Sequence, residues 1–403
     1  MRSALLILIA CSSTAVHTSA LSSSPAPITL IASFSPATGY APRAGLVLGP
    51  GGSLYGTVWK SGDGGAGCGT VYRLDGNAIT VIHQFSSLDL TGRNADGCKP
   101  VAPVSFNSSG RLYVVTRQGG LGGNPIRPAP GAIVSMLPDG GQVELEHSFT
   151  GGADGASPAG ALVWSGAIAY GATPQGIYKF DAGAITYVAA LAAPGPRNPY
   201  GSPALDADGE IVAWATYGGA HNAGGIIALW PDTGVTRTIY DFPSYSFSGN
   251  MDNAPLQSPT IASNGATYLA SEFGGANGTG LIVKAERTAT VLHEFGPWIA
   301  AATPTTPRFA TADGALPLGT LLDLGGWLYG TTYYGGSNGV GSIWRIGLDG
   351  RGFATLYSFG GGDGMCYPAT GLTRGADGAL YGTTFLCGAS GGGSIYRFEA
   401  PNG

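Results

Sequence analysis

Leu328-Tyr329-Gly330-Thr331-Thr332 decides how this chain is read, because Leu380-Tyr381-Gly382-Thr383-Thr384 repeats it a short distance on. Each is followed by a glycine-rich segment and a short apolar run: Ser342-Ile343-Trp344-Arg345-Ile346 in one case, Ser394-Ile395-Tyr396-Arg397-Phe398 in the other. Upstream, Tyr55, Tyr113, Tyr170, Val212 and Tyr268 fill the slot of Tyr329 and Tyr381, giving seven copies. Self-similarity at a period near fifty marks a repeat architecture.

Around each marker lie four apolar pieces of strand length, A to D, separated by Gly, Asp, Asn and Pro clusters that make turns. The first copy shows all four: Gly45–Leu48, Ser53–Thr57, Gly69–Leu74 and Ile79–Phe85. Seven repeats of four antiparallel strands, with no long amphipathic helix, predict an all-β seven-bladed β-propeller over residues 28–403. A D-like strand, Ile28–Phe34, precedes the first A, whereas the last copy has A, B and C only. The N-terminal strand is therefore expected to complete the last blade and close the ring, removing its open edges.

Met1-Arg2-Ser3, the apolar run Ala4–Ala10 and the small residues ending at Ala20 read as a signal peptide, residues 1–20, followed by a linker over 21–27. Export to the exterior or periplasm follows. Lipid anchoring at Cys11, within Leu8-Ile9-Ala10-Cys11, is the less favoured alternative because the run before it is short. The composition, 70 glycines with 44% apolar and 11% charged residues, fits a packed all-β domain rich in tight turns. A net charge of -5 without Lys/Arg clusters gives no footprint for nucleic acid. No later run is long enough to span a bilayer, and a monomer is expected.

Cys68, Cys98, Cys366 and Cys387 remain after the signal, and four cysteines allow three pairings. Cys68 and Cys98 fall in loops of neighbouring copies at one end of the ring, Cys366 and Cys387 likewise at the other. The expected disulfides are therefore Cys68–Cys98 and Cys366–Cys387. No histidine stands at ligand spacing from any of them, so no metal is assigned there.

The D-to-A and B-to-C connections emerge on one face, the A-to-B and C-to-D turns on the other. Turns such as Ala207-Asp208-Gly209 and Asp75-Gly76-Asn77 are short, whereas 86–101, 117–130, 243–257 and 296–318 are long. Long loops gather where proteins bind ligands, so the ligand is expected on that face.

The run Asp363-Gly364-Met365-Cys366-Tyr367-Pro368, then Gly371-Leu372, Leu380–Thr384 and Gly393–Phe398, resembles the Gloeo/Verruco (GloVer) repeat of bacterial secreted proteins. The resemblance covers about residues 28–398. It is strongest in copies one, six and seven and weakest in three to five, where Val212–Thr216 and Tyr268–Glu272 replace the B motif. It implies a propeller and export, and no particular activity.

Three residue sets invite a functional reading. His83, His147 and His293 recur two residues before the closing Phe of strand D, where Tyr240 and Tyr357 stand elsewhere; the favoured reading is packing between blades. Asp96, Asp154 and Asp363, with Asp252 and Asp313 loosely similar, precede Gly and then Pro; a turn that bonds its own backbone is favoured over a Ca²⁺-binding ring, and no cofactor is assigned. The third set breaks the repeat: His221 beside Tyr217, with Arg197, Asn198 and Tyr200, and around the face Trp59, Lys60, Arg117, Arg127, Glu272, Trp298, Arg308, Tyr333, Tyr334 and Tyr367.

Aromatic faces with a few charged partners suit carbohydrate, whose C–H faces pack on rings. The expected function is binding of an extracellular glycan through Tyr200, Asn198, Glu272, Tyr334 and Trp298. The alternative is a polysaccharide lyase, an activity some seven-bladed propellers have, with His221 or Tyr217 as base and Arg197 neutralising a uronate carboxylate. A protein-interaction scaffold of the envelope is the third reading. No Ser-His-Asp order, zinc signature, nucleotide loop or Cys-His pair supports other chemistry.

Overall fold

The computed structural model describes residues 28–61, 67–122, 129–242, 258–286, 288–299, 310–360 and 362–401, so the signal, the linker, Cys11, Arg127, Asp252 and Arg308 lie outside the described residues. Seven antiparallel sheets form the blades of a propeller, each ordered A-B-C-D. In blade 1 these strands are Val47–Leu48, Leu54–Val58, Thr70–Asp75 and Ala78–Gln84. The A strands of blades 1 and 7, 4 and 5, and 5 and 6 touch one another, which puts A at the axis and D outside. Ile28–Ser33 pairs with Ser394–Phe398, from Ile28 opposite Phe398 to Ser33 opposite Ser394, and so supplies strand D of blade 7. Among the described residues no helix is long and apolar enough to cross a membrane.

The Leu-Tyr-Gly-Thr motif has a packing cause. Gly56 faces Tyr72 across the B–C ladder, and a Cβ on Gly56 would stand 2.4 Å from the Tyr72 hydroxyl. Gly382 leaves the same room for Tyr396, which is fully buried, and Gly330 for the Trp344 ring. In blades 2, 4 and 5 the equivalent pairs are Val114–Val134, Ala213–Ile227 and Leu269–Val283. Bulk moves from one strand to the other, and the layer between blades keeps its density. The threonine after the glycine ties B to the A segments: Thr57 Oγ1 donates to the Ala102 carbonyl at 3.1 Å, and Thr331 Oγ1 to that of Thr370 at 2.8 Å.

The D-to-A connections carry a second recurrent device. Ala41, Lys99, Ser157, Asn198, Leu316 and Tyr367 each precede a proline, and each adopts a left-handed φ between 52 and 59°. The Lys99 and Tyr367 amides donate back to the preceding blade, to Cys68 and Val340 at 2.8 Å. The acceptors are followed by Gly69 and Gly341, where a Cβ would meet the Pro100 and Pro368 rings at 2.9 and 2.4 Å. The glycine before strand C and the proline of the D-to-A connection are thus two halves of one blade-to-blade contact.

Some of what reads as loop is strand. Asn94–Pro100, Arg197–Pro199 and Met365–Pro368 pair with the far ends of their B strands, ahead of the short inner A pieces. The left-handed residue and its proline interrupt the ladder, which hides the continuity of the strand. Two disulfides are present. Cys68–Cys98 joins blades 1 and 2, and Cys366–Cys387 joins two strands of blade 7 rather than neighbouring copies, as the pairing of Met365 with Cys387 shows.

The histidine and aspartate sets are partners. His83 Nε2 lies 3.2 Å from Asp96 Oδ2, His147 from Asp154 at 3.1 Å and His293 from Asp313 at 3.0 Å; in blade 6 the Tyr357 hydroxyl donates to Asp363 at 2.7 Å. The same carboxylates accept backbone N–H groups of Ser86, Thr150, Gly296 and Met365. Each histidine also sits edge-on to its neighbouring Phe, at centroid distances of 4.8 to 4.9 Å. Strand D therefore packs through its ring and clasps the loop that follows. Among the described residues no three His, Cys, Asp or Glu side chains converge as a metal site would require.

Candidate functional site

One position on each B segment, just past its threonine pair or the equivalent, stands at the mouth of the long-loop face. That slot holds Trp59, Arg117, Pro174, Tyr217, Glu272, Tyr333 and Phe385 in blades 1 to 7. The left-handed residues before proline form a second ring of positions on the same face. Backbone held in a sparsely populated region recurs where proteins present side chains to ligands.

Between blades 5, 6, 7 and 1 these two rings leave a cavity of about 460 Å³. Blade 1 contributes Ala41, Arg43, Trp59 and Lys60, and blade 5 Glu272. Leu316, Leu318, Tyr333 and Tyr334 come from blade 6, Ala369 and Phe385 from blade 7. A second cavity of about 300 Å³ runs along the A strands and shares Arg43 and Ala369 with the first, which places the larger one over the axial channel.

Aromatic rings dominate the wall. Tyr333 and Tyr334 stand perpendicular at 4.8 Å between centroids, Tyr367 stacks on Tyr333 at 5.1 Å, and Phe385 follows at 6.4 Å. Trp298, 39% exposed, lies 6.2 Å from Tyr334 and carries the aromatic surface outward. The Arg43 guanidinium lies 4.2 Å from the Trp59 ring centre and 5.1 Å from that of Phe385. The ammonium groups of Lys60 and Lys99 stand 5.2 and 5.3 Å from the same Trp59 ring.

Glu272 is half-buried, but its carboxyl is surrounded by protein, and this burial pushes its pKa up to about 7. Burial also raises the Tyr333 phenol well above its usual range, helped by Tyr334 and Tyr367 and opposed by the charge of Arg43. The wall thus offers flat apolar rings, fixed cations and one carboxyl that exchanges its proton near neutrality. A sugar ring could stack there while its hydroxyls take the polar groups.

The set singled out around copy four lies elsewhere on the face. Arg197 pairs with Tyr217 in backbone register, and the Asn198 amide donates to Thr216 Oγ1 at 2.7 Å. His221 is exposed in the turn that follows Tyr217. Tyr200 is only 4% exposed; it packs with Val101, Ala102, Ala159 and Ala161, and its hydroxyl accepts from Arg117 Nη1 at 3.1 Å. Of the residues read as ligand-binding, Glu272 and Tyr334 meet in the cavity wall with Trp298 beside them, whereas Tyr200 and Asn198 lie toward blades 2 to 4. Sequence reasoning passed over Arg43, Lys99 and Phe385. The two positional signals that find Lys99 and Phe385 are the residue before each D-to-A proline and the residue after each B-strand threonine.

Comparison with solved structures shows the same fold in proteins of very different sequence. The chain is similar to the extracellular domain of a protein assigned as a hybrid two-component system of B. thetaiotaomicron, at a TM-score of 0.57 and 10% identity over 94% of this chain. It spans only 43% of that chain. An oligogalacturonate lyase in complex with manganese matches at a TM-score of 0.54 and 12% identity, covering 94% of this chain and 95% of its own. The Niastella koreensis GH74 enzyme matches at 0.52 and 14%, covering 87% and 52%. Comparison of the sequence with curated proteins gives no match. The profile of the Gloeobacter/Verrucomicrobia repeat matches residues 19–186, 69–246 and 198–403. With overlapping matches that run from residue 19 to residue 403, the chain belongs to the Gloeobacter/Verrucomicrobia repeat family.

Proposed function

We propose that this propeller binds an extracellular carbohydrate on its long-loop face, in the cavity between blades 5, 6, 7 and 1. The observation that carries the reading is the aromatic wall of that cavity, Trp59, Tyr333, Tyr334 and Phe385, with Arg43, Lys60 and Glu272 set among the rings. Rings of this kind supply apolar contact with little conformational freedom to lose, and the polar groups between them supply orientation. Two disulfides fit an oxidising compartment outside the cytoplasm. Two propellers of similar fold are named as an oligogalacturonate lyase and a GH74 enzyme, which agrees with the reading at the level of fold only.

A glycan array followed by titration tests it. The Tyr334→Ala variant is expected to lose affinity for the array's best ligand by about tenfold or more, the loss typical of a buried aromatic anchor. Absence of binding to every glycan class would overturn the proposal.

Catalysis on a bound glycan is favoured by one observation, the Glu272 carboxyl held near 7 inside the cavity, since a group poised at the working pH can both accept and donate a proton. In that case Glu272→Gln abolishes product formation and leaves glycan affinity within a few-fold. The rival assignment, His221 or Tyr217 as base with Arg197, predicts the loss at His221→Ala instead.

A further inference from the structure

We infer that the saccharide taken by the cavity bears a carboxylate, a uronic-acid unit, which Arg43 and Lys60 hold beside Trp59. The inference rests on the carbohydrate reading above and adds the charge of the ligand. It starts from an inversion of local charge. The chain as a whole carries a net charge of -5, yet three cations, Arg43, Lys60 and Lys99, gather over one indole ring at the cavity. No salt bridge among the described residues joins Lys60 or Lys99 to a carboxylate.

The acidic residue in the cavity wall is Glu272, and enclosure by protein pushes its carboxyl up to about 7. In its neutral form it can donate a hydrogen bond to a ligand oxygen. Arg43 is 9% exposed and lies between the Trp59 and Phe385 rings, which fix it before any ligand arrives. A pre-set planar guanidinium matches a planar carboxylate through two parallel hydrogen bonds, and its ordering cost is already met in the free protein. Lys60 supplies a second positive charge beside it. Lys99 stands in one of the left-handed positions before proline, a conformation that disfavours a long side chain yet presents its ammonium to the same ring.

Titration calorimetry on the full chain decides the matter with two probes: a uronic-acid oligosaccharide, and the same oligosaccharide with its carboxylates reduced to alcohols. The uronate form is expected to bind about tenfold or more tighter, the effect of hydrogen bonds to a charged group. Lys60→Gln is expected to narrow that gap, and raising the salt to narrow it further. Arg43→Lys keeps the charge and loses the fork, so a partial loss there points to paired hydrogen bonds. Lys60 is only part-buried, so its variant keeps the test sound if changes at Arg43 impair folding. Equal binding of the two probes overturns the carboxylate assignment and leaves the carbohydrate reading in place. A sulfated neutral oligosaccharide that equals the uronate overturns it too. Binding of neither probe, nor of any arrayed glycan, removes the carbohydrate reading and this inference with it.

Discussion

The long-loop face has two unlike quadrants built from the same positions. Over blades 2 to 4 the mouth is filled: Tyr200, Val101, Ala102, Ala159 and Ala161 pack together, and Arg117 is tied to the Tyr200 hydroxyl. Over blades 5, 6, 7 and 1 the B-strand slots carry Glu272, Tyr333, Phe385 and Trp59, and these surround a cavity instead of closing it. Trp59 borders both, packing against the filled side and lining the open one. Aromatic content alone therefore does not mark a site. What matters is whether the rings meet each other or leave space, and that is fixed by neighbours distant in sequence.

The comparison breaks most visibly at Tyr200. Tyr200→Ala should destabilise the protein by about 3–5 kcal/mol, the usual range for truncating a buried aromatic. Tyr334→Ala, at a wall that already faces a void, should cost far less in a denaturant melt while removing glycan affinity. If the two variants melted alike, the filled and open quadrants would not be different.

A second contrast is between blades that place bulk on strand C and those that share it. Gly382→Val drives a side chain into the buried Tyr396 ring and should destabilise by about 1–3 kcal/mol. The double change Gly382→Val with Tyr396→Val copies the Val114–Val134 pair of blade 2 and should recover part of that loss, read as a non-additive term in a double-mutant cycle. Full additivity would show that the two positions do not share one space.

These contrasts also say what could be read from the sequence. The seven blades and the closing N-terminal strand were legible because each rests on a local pattern, such as Leu380–Thr384 or the unpaired D strand at Ile28; both cysteine pairs were read correctly too, although Cys366–Cys387 lies within one blade and not between neighbouring copies. The cavity wall was only partly legible. Departure from the repeat at Val212–Thr216 was read as a sign of function, but in the core it reflects the exchange of a glycine–aromatic pair for Ala213 opposite Ile227. Glu272 and Tyr334, which line the cavity, and Trp298 beside Tyr334 were singled out because they are chemically conspicuous. Arg43 and Phe385 were not, because what brings them together is ring closure between the first and last blades.

The quadrants should also differ in pH response. Burial raises the Glu272 carboxyl to about 7, so its neutral form favours the fold. That contribution is fully present below the ordinary glutamate value of 4.5 and is lost as pH rises through about 7. Asp96, in a clasp of blades 1 and 2, has the opposite sign: burial works against its charge, but hydrogen bonds from His83 and Ser86 outweigh that and lower its pKa. Its contribution is present above the ordinary value of 3.8 and is lost as pH falls below it. Glu272→Gln should flatten the melting-temperature decline between pH 5 and pH 8, and Asp96→Asn should flatten the fall in acid. An unchanged profile in either variant would refute the corresponding assignment.

The smallest effect is expected at Ser157, a left-handed residue in the filled quadrant. Ser157→Gly should stabilise by about 0.5–1 kcal/mol, the relief of left-handed strain being offset in part by the added freedom of glycine in the unfolded chain. Lys99→Gly should show a similar gain while weakening anionic glycan binding, because it removes the ammonium that stands 5.3 Å from the Trp59 ring centre.

Titration of one arrayed glycan against Tyr334→Ala and Tyr217→Ala, each checked for an intact melt, separates the quadrants most directly. Both residues stand at the end of a B strand on the same face, one lining the cavity and one beside Arg197 in blade 4. Affinity is expected to fall about tenfold or more for Tyr334→Ala and to stay within about twofold of the parent for Tyr217→Ala. The reverse pattern, with affinity lost at Tyr217 and kept at Tyr334, would move the site to blade 4 and contradict the assignment of the cavity.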